Sequence, residues 1–173
     1  MNYYTGIGSR KTPQDILNLM TDIAKYLYDL GYTLRSGHAD GADKAFEKGA
    51  KDNKEIFLPW KGFNRSESKL YTIPMDAFIM AKSAHPCWEK CNIAAQKLHA
   101  RNVLQVYGRN LNSCSKFLIC WTRNAKFVGG TATAMKLAEK RGIPIFNLAR
   151  EDHKKRILNK LNRRIDGIFN SQN

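Results

Sequence analysis

The chain has 173 residues, enough for one domain with a substantial core, and its 43% hydrophobic content excludes a disordered protein. No apolar run reaches membrane-spanning length, and Met1-Asn2-Tyr3-Tyr4-Thr5 lacks the basic and apolar regions of a signal peptide, so the expected location is the cytoplasm. A formal net charge of +14 and a pI near 9.8 favour anionic partners: nucleotides, nucleic acid or an acidic protein surface.

Residues 3–7 read as a short strand ending in glycine. Thr12-Pro13-Gln14-Asp15 then opens a helix, with Thr12 as N-cap, Pro13 in the first helical position and Asp15 in the first turn. Ile16, Leu19, Met20, Ile23, Leu27 and Leu30 recur at helical spacing, and Gly31 supplies the stop. A second strand at 32–35, a second helix at 42–50 and a third strand at 55–58, closed by Pro59, follow. Strand, helix, strand, helix, strand in so short a span is the pattern of a parallel sheet with crossover helices.

Residues 60–72 break this rhythm. Trp60-Lys61-Gly62-Phe63-Asn64-Arg65-Ser66 is a polar loop with two aromatics and two basic residues, and loops of such length in a compact domain are often functional. Helical regions are expected from Pro74 and over 88–101, while 103–107 fits helix or strand. Phe117-Leu118-Ile119-Cys120-Trp121 has the near-continuous apolar character of a strand buried on both faces. Residues 130–141 form a helix stopped by Gly142, and 143–148 a last strand whose Pro144 suits a sheet edge. Residues 150–169 read as an amphipathic helix with Ile157, Leu158, Leu161, Ile165 and Ile168 on one stripe. Lys154, Lys155, Arg156, Lys160, Arg163 and Arg164 cover much of the rest, as a solvated face or as a surface for a nucleic-acid backbone. The expected fold class is α/β: an open parallel sheet in the order 3-2-1-4-5, helices on both faces and a basic C-terminal helix, all in a single domain over 1–173.

The most informative stretch is Arg35-Ser36-Gly37-His38-Ala39-Asp40-Gly41-Ala42-Asp43. A strand that stops in Ser-Gly, turns through Gly and restarts as a helix makes an anion cradle, because the backbone can approach closely and the first helical N–H groups point at the ligand. Gly6-Ile7-Gly8-Ser9-Arg10 and Gly129-Gly130-Thr131 look built alike. In the order 3-2-1-4-5, the loops after strands one, two and four open at the same edge, where ligands of open parallel sheets bind. A phosphate is expected against backbone N–H groups of Gly8, Ser9, Gly129, Gly130 and Thr131, with Arg10 adding a bidentate contact. Ser36, Gly37, His38 and Gly41 would form the neighbouring wall, with Asp40 or Asp43 accepting from sugar hydroxyls. The loop that starts at Thr122 closes the pocket, and Trp121 either packs beside a base or belongs to the core. Two familiar motifs do not fit. Lys11 stands where a dinucleotide fingerprint needs its third glycine, and Arg10 replaces the glycine that precedes Lys-Thr in a P-loop.

These three stretches resemble the DprA/Smf-like part of the SLOG superfamily, Rossmann-like proteins that also include the LOG phosphoribohydrolases. The resemblance spans roughly residues 2–148 and looks closest to small stand-alone members found in bacteriophage genomes. It implies a Rossmann-like fold that binds nucleotides or nucleotide-derived ligands. Some members bind single-stranded DNA, some free the base from nucleoside monophosphates, and some sense ADP-ribose-type signals in antiphage defence. The chain departs from the pattern twice. His38 stands where a second glycine is common, and Gly129-Gly130-Thr131 continues as Ala132-Thr133-Ala134-Met135, without the glutamate of the phosphoribohydrolases.

His85-Pro86-Cys87-Trp88-Glu89-Lys90-Cys91 with His99 can be drawn as a zinc site, but structural zinc sites usually pair cysteines across a turn at shorter spacing. The expectation is therefore no metal, with Cys87 and Cys91 as buried thiols on a helix, Cys114 and Cys120 in the core, and His153 on the surface. The expected function is binding of a nucleotide or nucleotide-derived ligand, such as ADP-ribose or a nucleoside monophosphate, without a resident cofactor and as a homo-oligomer. A DprA-like single-stranded DNA-binding accessory protein and an N-glycosidic nucleotide hydrolase are the alternatives.

Overall fold

In the computed structural model, described over residues 1–170 with side chains to residue 162, five parallel strands form one open sheet. They are β1 (Asn2–Gly6), β2 (Tyr32–Ser36), β3 (Lys54–Ile56), β4 (Leu118–Cys120) and β5 (Ile145–Asn147), in the spatial order β3-β2-β1-β4-β5. This is the order expected from the sequence. The helices are α1 (Gln14–Asp29), α2 (Ala42–Ala50), α3 (Met75–Ala84), α4 (Ile93–Tyr107), α5 (Gly129–Lys140) and α6 (Glu151–Asn170). Tyr4 lies opposite Leu34 and Thr5 opposite Leu118, so β1 is central and the point where strand order reverses lies between β1 and β4.

Alternation along the strands sends side chains into two cores. Tyr4, Leu34, Ile56 and Ile119 pack with Ile16, Met20, Ile23 and Phe46 of α1 and α2, and Ile157 and Leu161 of α6 join from the rim. On the other face, Ile7, Phe57, Leu118 and Cys120 pack with Ala77, Ala100, Leu104 and Leu137 of α3, α4 and α5. β4 is buried along its whole length, as its apolar run implies. Thr5 ties the second face down: its hydroxyl donates to the Gln105 carbonyl of α4 at 2.7 Å and pairs with the Ser115 hydroxyl at 2.9 Å. No described helix is long and apolar enough to cross a membrane.

The local departures have identifiable causes. Thr12 does not cap α1; its hydroxyl donates to Ser9 O at 2.7 Å, which ties the preceding loop, and Pro13 holds the boundary position. β3 ends at Ile56, after which Phe57 bridges Leu70 of the following loop. Residues 88–90 form a single 3-10 turn, and the helix begins only at Ile93, where the Asn92 side chain accepts from Ala95 N–H at 2.9 Å. The ambiguous 103–107 stretch is the last part of α4. His153 is half-buried rather than a surface residue: its Nδ1 accepts from Asn147 N–H at 3.0 Å and docks α6 on β5. Of the basic and apolar positions expected on α6, Arg163, Arg164, Ile165 and Ile168 lie outside the described side chains.

Arg35 is the largest fully buried side chain. Its Nε donates to Glu55 Oε2 at 2.7 Å, Nη2 to Ser113 Oγ at 3.1 Å and Nη1 to the Ser113 carbonyl, and the guanidinium lies over Tyr3, 3.6 Å from the ring centroid. One cation thus joins β1, β2, β3 and the loop before β4. Removing it strands a carboxylate and a carbonyl, so Arg35→Ala is expected to cost about 3–5 kcal/mol in urea unfolding. A loss below about 1 kcal/mol, the range of exposed ion pairs, would refute that structural role.

Candidate functional site

The carboxyl ends of β1 and β4 open into a cleft of about 480 Å³. Its walls include Gly8, Ser9, Arg10 and Lys11 after β1; Ala39 in the loop before α2 and Asp43 in its first turn; and Thr122, Arg123, Gly129, Gly130 and Thr131 after β4. Parts of all three glycine-bearing stretches therefore meet. The volume suits a nucleotide-sized ligand. Arg10, Lys11, Arg101 and Arg123 line the cleft against one carboxylate, Asp43, so its field favours an anion.

The loop after β1 is pressed against its neighbours. A Cβ on Gly8 would lie 2.7 Å from Ala42 Cβ and 3.0 Å from the Trp121 carbonyl, so only glycine lets α2 and β4 approach this closely. Gly41 abuts the backbone of Ser9 and Arg10. The Ser9 N–H donates to Trp121 O at 3.1 Å, so it is already engaged and is not open for a phosphate as expected. Gly129 and Gly130 begin α5 with open space above both Cα atoms, and first-turn N–H groups have no intrahelical acceptor. Asn102 Nδ2 donates to Gly130 O at 2.8 Å, which fixes this entry turn.

Several expected site residues lie outside the lining. Ser36 is fully buried and its hydroxyl donates to Gly6 O at 2.7 Å, a link between β2 and β1. His38 adopts φ 60°, the left-handed conformation that favours glycine, and its ring pairs with Glu47 at 3.0 Å. Asp40 is exposed and pairs with Lys44 at 2.7 Å, which holds its carboxyl below the usual range. Trp121 packs against the core on the α1–α2 side, the second of its two expected placements. Thr122 is buried on the cleft wall, and its hydroxyl accepts from Asn147 Nδ2 at 2.7 Å.

The largest share of the wall that sequence reading missed comes from α4: Ala95, Leu98, His99, Arg101, Asn102 and Gln105. Arg101 and Asp43 are almost fully buried and form an ion pair at 3.6 Å. A Cβ on Gly37 would fall 1.1 Å from Arg101 Nη1, so glycine there makes the room for the guanidinium. With the Gln105 amide oriented to pair each donor with an acceptor, its oxygen receives Gly37 N–H and Arg101 Nη1, each at 2.9 Å. Arg101 Nε is buried without a hydrogen-bond partner among the described residues. Burial pulls the Arg101 guanidinium below its ordinary value, opposed by Asp43. Burial pushes the Asp43 carboxyl up to about 6, against the pull of Arg101 and of the Ala39 N–H. His99 is pulled down to about 4 by burial and by the neighbouring His85 and Arg101, so it is neutral at neutral pH. Its Nδ1 pairs with Thr133 Oγ1 at 2.8 Å.

No family model matches the chain, and no curated protein matches it in sequence. Two solved structures share its fold. DNA processing protein A from Helicobacter pylori, which binds single-stranded DNA, aligns with a TM-score of 0.56 at 18% identity over 98% of this chain and 81% of its own. The Moco carrier protein of Chlamydomonas reinhardtii aligns at 0.50 and 18% identity, over 93% and 84%. At such identity the likeness establishes the fold, and at that level it agrees with the resemblance read from the glycine motifs.

The raised Asp43 carboxyl makes a signed prediction. Its ordinary value is 3.8 and its folded value about 6, so the folded chain binds the proton more tightly than the unfolded chain. That stabilisation is complete below about pH 4 and is lost as pH rises through 6. Measured against Asp43→Asn in urea titrations, the native chain should therefore lose stability across this window. A difference that grows with pH would mean that Arg101, not burial, controls the carboxyl.

Proposed function

We propose that the cleft binds a nucleotide or nucleotide-derived small molecule, with its phosphate at the entry of α5 facing the loop after β1. The convergence of the two glycine loops on one nucleotide-sized cleft with a cationic wall carries this reading. The N–H groups of Gly129, Gly130 and Thr131 supply donors at the positive end of a 12-residue helix, and Arg10, Lys11 and Arg123 supply charge. The buried Arg101 Nε, without a hydrogen-bond partner among the described residues, is a further donor for a ligand oxygen. Asp43, rather than Asp40, is the acceptor for a sugar hydroxyl, since it is the carboxylate on the cleft wall. ADP-ribose-type molecules are the first ligands to try, because the resemblance includes sensors of them.

Calorimetry with ADP-ribose, nucleoside monophosphates and the matching nucleosides tests this. Phosphate-bearing ligands should bind at least about tenfold more tightly than nucleosides, and Arg10→Ala should remove about 1.5–3 kcal/mol of that affinity. No heat of binding at millimolar ligand, or equal affinity for nucleoside and nucleotide, would sink the proposal.

Single-stranded DNA is the second reading, favoured by the net charge of +14 and by the exposed aromatics Trp60 and Phe127, the latter two residues before Gly129. Bases stack on such side chains while cations follow the backbone. Affinity for an oligonucleotide should then fall linearly in log–log terms as salt rises, and a flat response in gel shifts would exclude it.

A further inference from the structure

We propose that His85, Cys91 and His99 form a zinc-binding site beside the cleft, with the fourth coordination position open to solvent or to a ligand oxygen. Their ligand atoms all lie within 4.8 Å of one another, and Cys91 Sγ is 3.9 Å from each ring nitrogen of His85. The two imidazole centroids are 4.3 Å apart. In a tetrahedral zinc site with bonds of about 2.0–2.3 Å, neighbouring donor atoms are roughly 3.5 Å apart, so side-chain torsions alone can close the gap. One thiolate and two imidazoles are borderline-soft donors of the kind zinc prefers, and no hard carboxylate is among them.

The three residues come from three segments that the fold holds together. His85 follows the last residue of α3, Cys91 closes the 3-10 turn at 88–90, and His99 stands on α4. Trp88, buried in the core between the first two, pins the loop onto α4. The tautomer of His99 that donates from Nδ1 to Thr133 Oγ1 leaves the Nε2 lone pair for a metal, the supporting contact that ligating histidines commonly have. His85 Nδ1 now accepts from Cys87 N–H at 3.2 Å, and the metal takes over that lone pair. The Cys91 proton leaves to solvent as the thiolate binds. Cys87, despite its place in the same short stretch, is exposed and outside the cluster.

The open position has a defined outlook. His99 lines the main cleft, and together with His85 it lines an adjoining recess of about 310 Å³ that shares Gly129 and Gly130. Three protein ligands with a free fourth position is the coordination pattern of reactive zinc rather than of closed structural sites. A water molecule, or an oxygen of whatever anion occupies the glycine entry of α5, completes the sphere.

Zinc binding is measured on the full chain without nucleotide, so the result does not depend on the cleft's ligand. Dialysis and elemental analysis should give one zinc per chain, and cobalt(II) should give a thiolate-to-metal charge-transfer band in the near ultraviolet. Cys91→Ala should abolish that band and weaken zinc binding beyond the ~10–100-fold that loss of a supporting contact costs, while Cys87→Ala and Cys114→Ala leave both unchanged. Micromolar zinc should raise the melting temperature of the native chain and not that of a folded His85→Ala/Cys91→Ala variant. No stoichiometric zinc, or equal loss in Cys87→Ala and Cys91→Ala, overturns the assignment.

Discussion

Arg101 reaches across the carboxyl edge of the sheet from α4 to Asp43 of α2, so one buried ion pair joins helices that pack on opposite faces. Everything at the mouth of the cleft is arranged around it. Gly37 leaves room for the guanidinium, Gln105 holds it, and Phe63 lies beneath it, 5.9 Å from Arg101 Cζ to the ring centroid. That last contact explains the loop at 60–66: Phe63 is the buried anchor and Trp60 the exposed partner stacked edge-on against it at 5.2 Å. A buried ion pair is seldom retained for stability, since well-packed apolar residues of similar volume often serve as well or better. Breaking it is what costs. Its value here is that it keeps charge on the wall of a site that an apolar seal would make neutral.

The fold was legible because its signals are local. Period-two and period-3.6 patterns, a Pro or Gly at many boundaries, and the alternation of strands with helices point to a parallel sheet, and the common doubly-wound arrangement supplies its order. Thr12 misled because a hydroxyl before Pro looks like a cap from sequence alone, whereas the tight turn at 9–12 gives it an acceptor in Ser9 O. The glycine loops were legible for the same local reason. Their neighbours were not. Ser36 and His38 belong to the same motif as Asp43, yet a strand's alternation and one left-handed residue turn their side chains to Gly6 and Glu47. A motif specifies a backbone path, and only the packed chain decides which side chains face the ligand.

α4 shows the opposite case. Its cleft-facing residues, His99, Arg101, Asn102 and Gln105, sit in a stretch with no motif, and Arg101 and Gln105 are buried polar residues where a periodicity count expects apolar ones. The available signal was negative: a helix whose inward stripe carries Arg, Asn and Gln must spend them on something. Asn102 spends its amide on Gly130 and Gln105 its amide on Gly37, so α4 fixes the positions of both glycine entries at once. The same displaced expectation applies to the cysteines. A helix through this stretch would bury Cys87 and Cys91 together, but the 3-10 turn at 88–90 breaks that register, leaves Cys87 exposed and Cys91 half-buried, and brings Cys91 to His85 instead.

The two cavities at this edge are therefore best understood as one polar surface divided by α5. Gly129 and Gly130 belong to both, His99 faces both, and the helix that begins between them presents its positive end to each. A nearby positive helix terminus opposes a bare cation, and Lys136, which donates to the Ala84 carbonyl at 3.2 Å, adds to that opposition. A thiolate among the donors offsets part of it, and an anionic oxygen bound at the glycine entry would offset the rest. Metal and anion would then favour each other's binding, since each screens the charge that makes the other costly. Without the anion, the metal must rely on the His–Cys–His donors alone.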